Sequence, residues 1–522
     1  MEEKVSYLPT ETKLNTTDGN DGKDGKDGKE KAELSEMTEE KNKFSDEFEK
    51  KGLKRQVGLI GGVCLLVGTI IGSGIFASPS SVATFAGDPG PVLLVWAGCG
   101  VLAMLAALCW CELGTMFPNA SGGEYSYIHA AFGPLPAFLF SFTSTFILKP
   151  SSLVLIALTC GDYIITSFDY DPEEAAYSKL IAAVLLGIIV FVNCASVRWA
   201  TSVQVIFTAT KLLAIVMLII TGFVRLGQGH NDSLKDAFNG TSKSISDIGY
   251  AFYGGLWAYD GWNNLNYVTE ELKNPIRDLP LAIMIGIPLV TACYVMVNIT
   301  YLTVLTSIQI ASSKAVAVTL ANQLYGVMAW VIPVFVACST FGAANGSAFT
   351  SGRLVYVSAR EGHMPKLLAM VHTKRHTPLP ALIFTCIIAW IMLIPESSNF
   401  STLVNYFNFA AWTFYGGTVA ALLWLRIRQP DLERPYKVFI GIPIVVLLCS
   451  LYLVIAPFYD YPLQSLYCLL FILFGIPVYF LFVKYQVFPK AITTGFGSFV
   501  DKITYKIQML CDLSMPDDFD ED

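Results

Sequence analysis

An apolar run from about Val57 to Ser80 is long enough to cross a bilayer, yet it is built in a way that a plain membrane helix would avoid. At its centre stands Val67-Gly68-Thr69-Ile70-Ile71-Gly72-Ser73-Gly74-Ile75-Phe76, with three glycines and a serine among residues 68–74. Each interior glycine costs a helix about 1 kcal/mol against alanine. In lipid the backbone can open only where neighbours, water or a ligand take over the freed N–H and C=O groups. One reading is a helix break at Gly72-Ser73-Gly74. The half-helix after it would aim its positive dipole end and free N–H groups at the bilayer midplane, a place for an anion such as a carboxylate. The other reading is a small-residue face against which a second helix packs closely. This stretch alone leaves both open.

The rest of the chain decides the solvent. Of 522 residues, 53% are hydrophobic and 15% charged, and the mean hydropathy is +0.52. Soluble domains carry about 25% charged residues. Apolar runs longer than the ~20 residues of a span recur along the sequence, so a polytopic all-α membrane protein is expected. The first fifty residues are hydrophilic, and no cleavable signal peptide is expected there. The net charge of −7 comes largely from the two ends and says little about partners. The twelve cysteines, Cys64, Cys109, Cys111, Cys194, Cys338 and Cys449 among them, lie almost all within apolar runs. They read as small buried hydrophobes, not as a disulfide framework or a metal site.

Residues 1–54 form a hydrophilic N-terminal tail in which Asp-Gly-Lys repeats three times, a composition that cannot bury enough apolar surface to fold. Residues 55–484 carry the membrane domain and 485–522 a C-terminal tail ending in Asp517-Asp518-Phe519-Asp520-Glu521-Asp522. Twelve spans are predicted: 57–80, 91–116, 130–160, 179–197, 202–224, 248–269, 279–305, 326–357, 378–394, 403–425, 439–457 and 463–483. Lys50, Lys51, Lys54 and Arg55 precede the first span, which puts the N-terminus in the cytosol. The loop after span eight (Arg360, Lys366, Lys374, Arg375) and the loop after span ten (Arg426, Arg428, Arg434, Lys437) then fall on the same side, as the positive-inside rule requires. Two N-glycosylation triplets, at Asn231 and Asn239, fall in the predicted external loop between spans five and six. An even span count returns the C-terminus to the cytosol.

The sixth span is also interrupted. Ala251 to Asn266 contains three glycines, Asp260 and three asparagines within a hydrophobic segment. Spans one and six open successive blocks of five, and Gly-interrupted segments at matching positions point to inverted repeats around a midplane substrate site. Such a site suits a zwitterion. The N–H groups of Ser73, Gly74 and Ile75 would hold a carboxylate, and freed carbonyls of span six would accept from an ammonium. Trp257 would cap the site, or else simply pack. Asp260 faces either a cationic substrate side chain or a structural partner. Lys211, at the middle of span five, reads as a fixed cation standing where a sodium ion would otherwise brace spans one and eight; the alternative is a snorkelling lysine. Glu112 and Glu124 are expected to brace the cytosolic side, the alternative being a proton-carrying carboxylate. The run Ser339 to Ser351 either lines the pathway or permits close helix contact.

These residues carry a resemblance. GTIIGSGIF at 68–76, SGGEY at 121–125, Lys211 and VTEELKNPIRDLPL at 268–281 together are similar to the amino-acid/polyamine/organocation superfamily, and within it to the light subunits of heteromeric amino-acid transporters. The likeness runs from about Gly58 to Val483. The stretch from Phe252 to Trp262, and NYVTEELKNPIRDLPLAIMIGIPLVTAC at 266–293, resemble the b(0,+)-type branch, which exchanges cationic amino acids and cystine for neutral ones. The large-neutral branch has Phe and Gly where Trp257 and Asp260 stand. The resemblance implies a twelve-helix, five-plus-five inverted repeat with broken first and sixth helices. It carries substrate contacts to Ile70, Ser73, Gly74, Trp257, Asp260 and Asn263. It places Lys211 at the position of the sodium of related carriers, hence sodium-independent obligatory exchange.

One departure bears on partners. Light subunits normally carry a cysteine in the loop between spans three and four that bonds to a single-span glycoprotein heavy chain; here residues 161–178 contain none, and Cys160 stands just before them. The expectation is a protein that works alone or pairs non-covalently with such a chain. The expected function is a plasma-membrane exchanger of cationic and neutral L-amino acids, with cystine a further candidate. A neutral-only exchanger and a transporter-like amino-acid receptor are the rivals. No enzyme, cofactor, metal or nucleic-acid partner is expected: the chain has five histidines and no HExxH, nucleophile elbow or phosphate loop.

Overall fold

A computed structural model describes residues 57–118, 123–167, 175–195, 197–231, 234, 237–238, 244–360, 362–373, 375, 377–460, 462–484, 508, 511 and 513–514. The N-terminal tail, most of the C-terminal tail, Ser121 and Gly122, Asn239 and the middle of the loop after span three lie outside the described residues.

The apolar runs become helices, because in lipid a continuous helix satisfies its own backbone. In chain order these are α1 (Leu59–Ile70), α2 (Gly74–Ala86), α3 (Pro89–Met116), α4 (Glu124–Phe132), α5 (Pro134–Thr143), α6 (Lys149–Ser167), α7 (Ala175–Ala195), α8 (Val197–Gly227), α9 (Ile245–Ala258), α10 (Pro275–Val304), α11 (Ser307–Ser312), α12 (Val316–Leu324), α13 (Val331–Arg360), α14 (Leu379–Leu393), α15 (Phe400–Arg428), α16 (Gly441–Ile455), α17 (Pro457–Asp460) and α18 (Pro462–Val478). Among the described residues, eight helical stretches are long and apolar enough to cross a membrane, and α1 with α2, bent by 50°, makes a ninth. The remaining predicted spans are the short apolar α14, the polar-centred α9 and the 29-residue α15.

Span one is α1 plus α2 and span six is α9 with the turn that follows it. Their neighbours pair alike. Span one packs on span seven (α10) as span six packs on span two (α3); span three (α6) packs on span four (α7) as span eight (α13) packs on span nine (α14). Spans two and seven, and spans three and eight, meet each other directly. Each block has five crossings, an odd number, so the second block runs inverted relative to the first.

Several boundaries move. Span three starts at Pro134, because Gly133 (φ +85°) separates it from the independent helix α4, and it continues to Ser167 through a one-turn π-helix at Ser144–Leu148. Residues 161–167 and 175–178 of the predicted loop are therefore helical. Cys160 lies seven residues inside α6 and is 2% exposed, so it is no substitute for an external bridging cysteine. All cysteines among the described residues are free.

The basic loops share one face. There the Glu112 carboxylate at the end of α3 accepts from Arg426 at the end of α15, with Nε at 2.8 Å and a second bond from Nη2. The backbone N–H of Val438 donates to the same carboxylate at 2.9 Å. Leu180, Val184, Ile188 and Phe191 form an exposed apolar stripe along α7, the pattern of a helix side turned to lipid.

Candidate functional site

The first break falls where the glycines cluster. α1 ends at Ile70, Ile71 is extended (ψ 97°), and α2 restarts at Gly74. Among the described residues, the N–H groups of Ser73, Gly74 and Ile75 have no backbone acceptor. They are the orphan donors of a helix start. Ser73, Ile70 and Ile75 are buried around them.

The small residues also do the packing that the second reading foresaw. A Cβ on Gly74 would stand 2.3 Å from the Ala258 Cα, so the start of α2 crosses the end of α9 backbone against backbone. Gly72 faces Ala343 of α13, and Gly68 faces Thr208 of α8. Close approach and backbone release are thus two uses of one cluster.

The second break follows Ala258. Tyr259 to Asn263 form a turn in which Gly261 takes φ +100°, a conformation L side chains rarely adopt. One residue that the sequence reading did not single out joins the two breaks. The Tyr294 hydroxyl of α10 lies 2.9 Å from the Ile70 carbonyl oxygen and 3.0 Å from that of Ala258. The one hydroxyl is thus within hydrogen-bond distance of both freed carbonyls. Nothing in the local sequence marks Tyr294, since an aromatic in an apolar run is ordinary.

Tyr294→Phe leaves both carbonyls without this donor. The expected result is a stability loss of about 1–3 kcal/mol, read as a lower midpoint in thermal unfolding of detergent-solubilised protein. An unchanged midpoint would contradict the role given to the hydroxyl.

The carbonyls of span one are held from other sides too. Lys211 is 1% exposed, and its Nζ donates to the Gly68 carbonyl. The Ser339 hydroxyl of α13 reaches the Gly72 carbonyl at 3.4 Å. Spans five and eight thus both fasten span one, and Lys211 points inward instead of snorkelling. The small-residue run of α13 gives close contact as well. Gly342 meets Phe207, Asn345 accepts from Asn193 Nδ2 at 2.9 Å, and Ser347 lies 3.3 Å from Ser152.

On the side of the break nearer the basic face, polar groups converge on Glu124. This carboxylate, at the first turn of α4, accepts from Trp110 Nε1 at 3.2 Å, from Asn263 Nδ2 and from the Tyr267 hydroxyl. Asn263 is therefore engaged in this cluster. The Tyr415 hydroxyl of α15 donates to Asp260 Oδ1 at 3.3 Å and lies 3.5 Å from Asn263 Nδ2. Trp110, Trp262 and Tyr415 pack edge to face around the cluster. Lys149, in span three, places its ammonium 5.9 Å from the centre of the Tyr267 ring. The sequence reading passed over Lys149 and Tyr415; a lysine within a predicted span was a signal that would have found the first. Trp257 packs edge to face on Phe407 at 4.8 Å, and its indole N–H has no partner among the described residues.

On the other side lies a cavity of about 480 Å³, whose floor includes Ala77 of α2, one turn beyond Gly74. None of the predicted substrate residues lines it. All of them except the half-buried Asp260 are buried, as is the neighbouring Phe76. Among the described residues no group of three or more His, Cys, Asp or Glu side chains is placed to hold a metal ion.

A family model described as amino acid permease matches residues 57–483. The b(0,+)-type amino acid transporter 1 of Mus musculus is 50% identical over 482 residues, covering 92% of this chain and 97% of that one. The Homo sapiens protein of that name is 48% identical over 484 residues, with the same coverage of each. The large neutral amino acids transporter small subunit 2 of Rattus norvegicus is 44% identical over 474 residues, 90% of this chain and 87% of its own.

Proposed function

The chain belongs to the amino acid permease family, and from that premise we propose that it is a sodium-independent amino-acid exchanger. It moves cationic and neutral L-amino acids, cystine included, across the plasma membrane by alternating access. The observation that carries this reading is the crossing of two broken helices. Free N–H groups at Ser73, Gly74 and Ile75 stand beside the Ala258 end of α9, whose last carbonyl has left the helix ladder. A zwitterion needs both poles, and here both are backbone, so the recognition is independent of the substrate's side chain.

Side-chain selection then falls to Ile70, Trp257, Asp260 and Asn263. Asp260 supplies the negative charge that a lysine- or arginine-like substrate would seek. Trp257 would close over the bound molecule. Lys211 stands in for a sodium ion, since its fixed charge already holds the Gly68 carbonyl. By the positive-inside rule the basic face is cytosolic, together with both termini. The 161–178 segment lacks a cysteine and Cys160 is buried, which supports a heavy chain held without a disulfide.

The Tyr415 hydroxyl on Asp260 favours a second reading, in which that carboxylate is structural and transport is neutral-only. One variant separates the two. Liposomes carrying the purified chain are loaded with unlabelled leucine, and entry of labelled substrate is followed without sodium. Asp260→Asn is expected to lower the kcat/KM for arginine by about thirtyfold or more, the lower end for losing a buried charge partner. Leucine uptake should stay within about twofold. Equal losses for both substrates would make Asp260 structural, and uptake into unloaded vesicles would overturn exchange.

A further inference from the structure

Beyond the central site, the cavity above Ala77 has the make-up of a binding site of its own. Its walls come from α2, α6, α7, the α11 segment and the start of α15. They combine opposite charges with apolar surface: Asp162, Lys179 and Lys314 stand among hydroxyl groups, with Phe85 and Phe400 completing the lining. The volume of about 480 Å³ is that of a small-molecule site.

The charged groups are held in place. Asp162 Oδ1 accepts from the Ser178 hydroxyl at 2.5 Å, which ties the end of α6 to the start of α7. A Cβ on Gly161 would sit 2.6 Å from the Ser178 carbonyl oxygen, so the two helix ends touch at that point. The Lys179 ammonium donates to the Pro395 carbonyl and reaches that of Glu396 at 3.4 Å. The Asp162 carboxylate and the Lys179 and Lys314 ammonium groups all line the same cavity, a set that offers a partner to each charge of a zwitterion.

We propose that this cavity is a second, outer binding site for a free amino acid, with the α-ammonium toward Asp162 and the α-carboxylate toward Lys314 and Lys179. It lies where α6 ends and α7 begins, on the face opposite the basic loops; its lining starts at Ala77, beyond the break at Gly72-Ser73-Gly74, and the intervening Ile75 and Phe76 are buried. A substrate arriving from that face therefore stops here until its floor opens. This inference rests on the exchanger reading given above.

Equilibrium binding of radiolabelled leucine to the full chain in lipid nanodiscs tests it. Two classes of site are expected in the wild type. Asp162→Asn should weaken one class by about tenfold or more and leave the other unchanged. Thr84→Trp, at an exposed position on the cavity wall, should block the same class by filling the space, independently of any effect of Asp162 on folding. A single class of site in the wild type, or two classes that both survive the two variants, would overturn the proposal while leaving the exchanger reading intact. Absence of amino-acid binding altogether, in a chain with normal thermal unfolding, would overturn both.

Discussion

Arg426→Met is expected to unfold at a markedly lower temperature than the wild type, with a loss of about 3–5 kcal/mol, the usual cost of removing one partner from a buried ion pair. The size follows from what is left behind. Glu112 is 0% exposed and takes two bonds from the Arg426 guanidinium. Without them it keeps the Val438 N–H, with the Arg434 Nε 3.7 Å away. The same Arg426 also donates to the Val438 carbonyl at 2.7 Å, so the loop after α15 loses its fastening to α3. Pairing the change with Glu112→Leu removes the stranded charge, and the double variant is expected to recover most of the lost stability. Thermal unfolding of the four proteins in detergent completes the cycle. If the double variant is as unstable as the sum of the singles, the two groups act separately and the pair does not brace this face.

Gly74→Ala is expected to slow transport of every substrate, cationic and neutral alike, by at least about tenfold. The added Cβ would meet the Ala258 Cα at 2.3 Å and its Cβ at 2.8 Å. Both are part of, or directly attached to, a helix backbone, so no side chain can swing away and the two half-helices must separate. Overpacking of this kind costs about 1–3 kcal/mol or more, equivalent to at least about tenfold in rate where the displaced atoms form the site. Gly72→Ala is the control, since its Cβ would find Ala343 at an ordinary 3.5 Å. Uptake of labelled leucine and arginine into leucine-loaded liposomes distinguishes them. Equal effects of the two substitutions would mean that glycine at 74 serves the local backbone and not the crossing with Ala258.

The two substitutions mark how far local sequence reaches. Apolar run length, the cost of glycine in a helix and the expense of a charge in lipid are properties of short segments. For that reason the spans, both breaks and the inward Lys211 were legible in the residues themselves. The same locality explains the misplaced ends of span three, where hydrophobicity runs smoothly across Gly133 although a helix ends there, and falls at Gly161-Asp162 although the helix continues to Ser167.

What tertiary structure alone decided was which group answers which. Gly74 reads in the sequence either as part of a helix break or as part of a packing face, and only the crossing with Ala258 shows that it serves both. Asn263 reads as a substrate contact, and only the approach of α4 places its amide on Glu124. Tyr294 joins a carbonyl 224 positions away to one 36 positions away. Glu112 meets an arginine 314 positions further on. A hydrogen bond depends on atoms brought within about 3 Å, and a distance of that kind is set by how helices pack, whereas the pattern along a single helix specifies only which groups will need a partner.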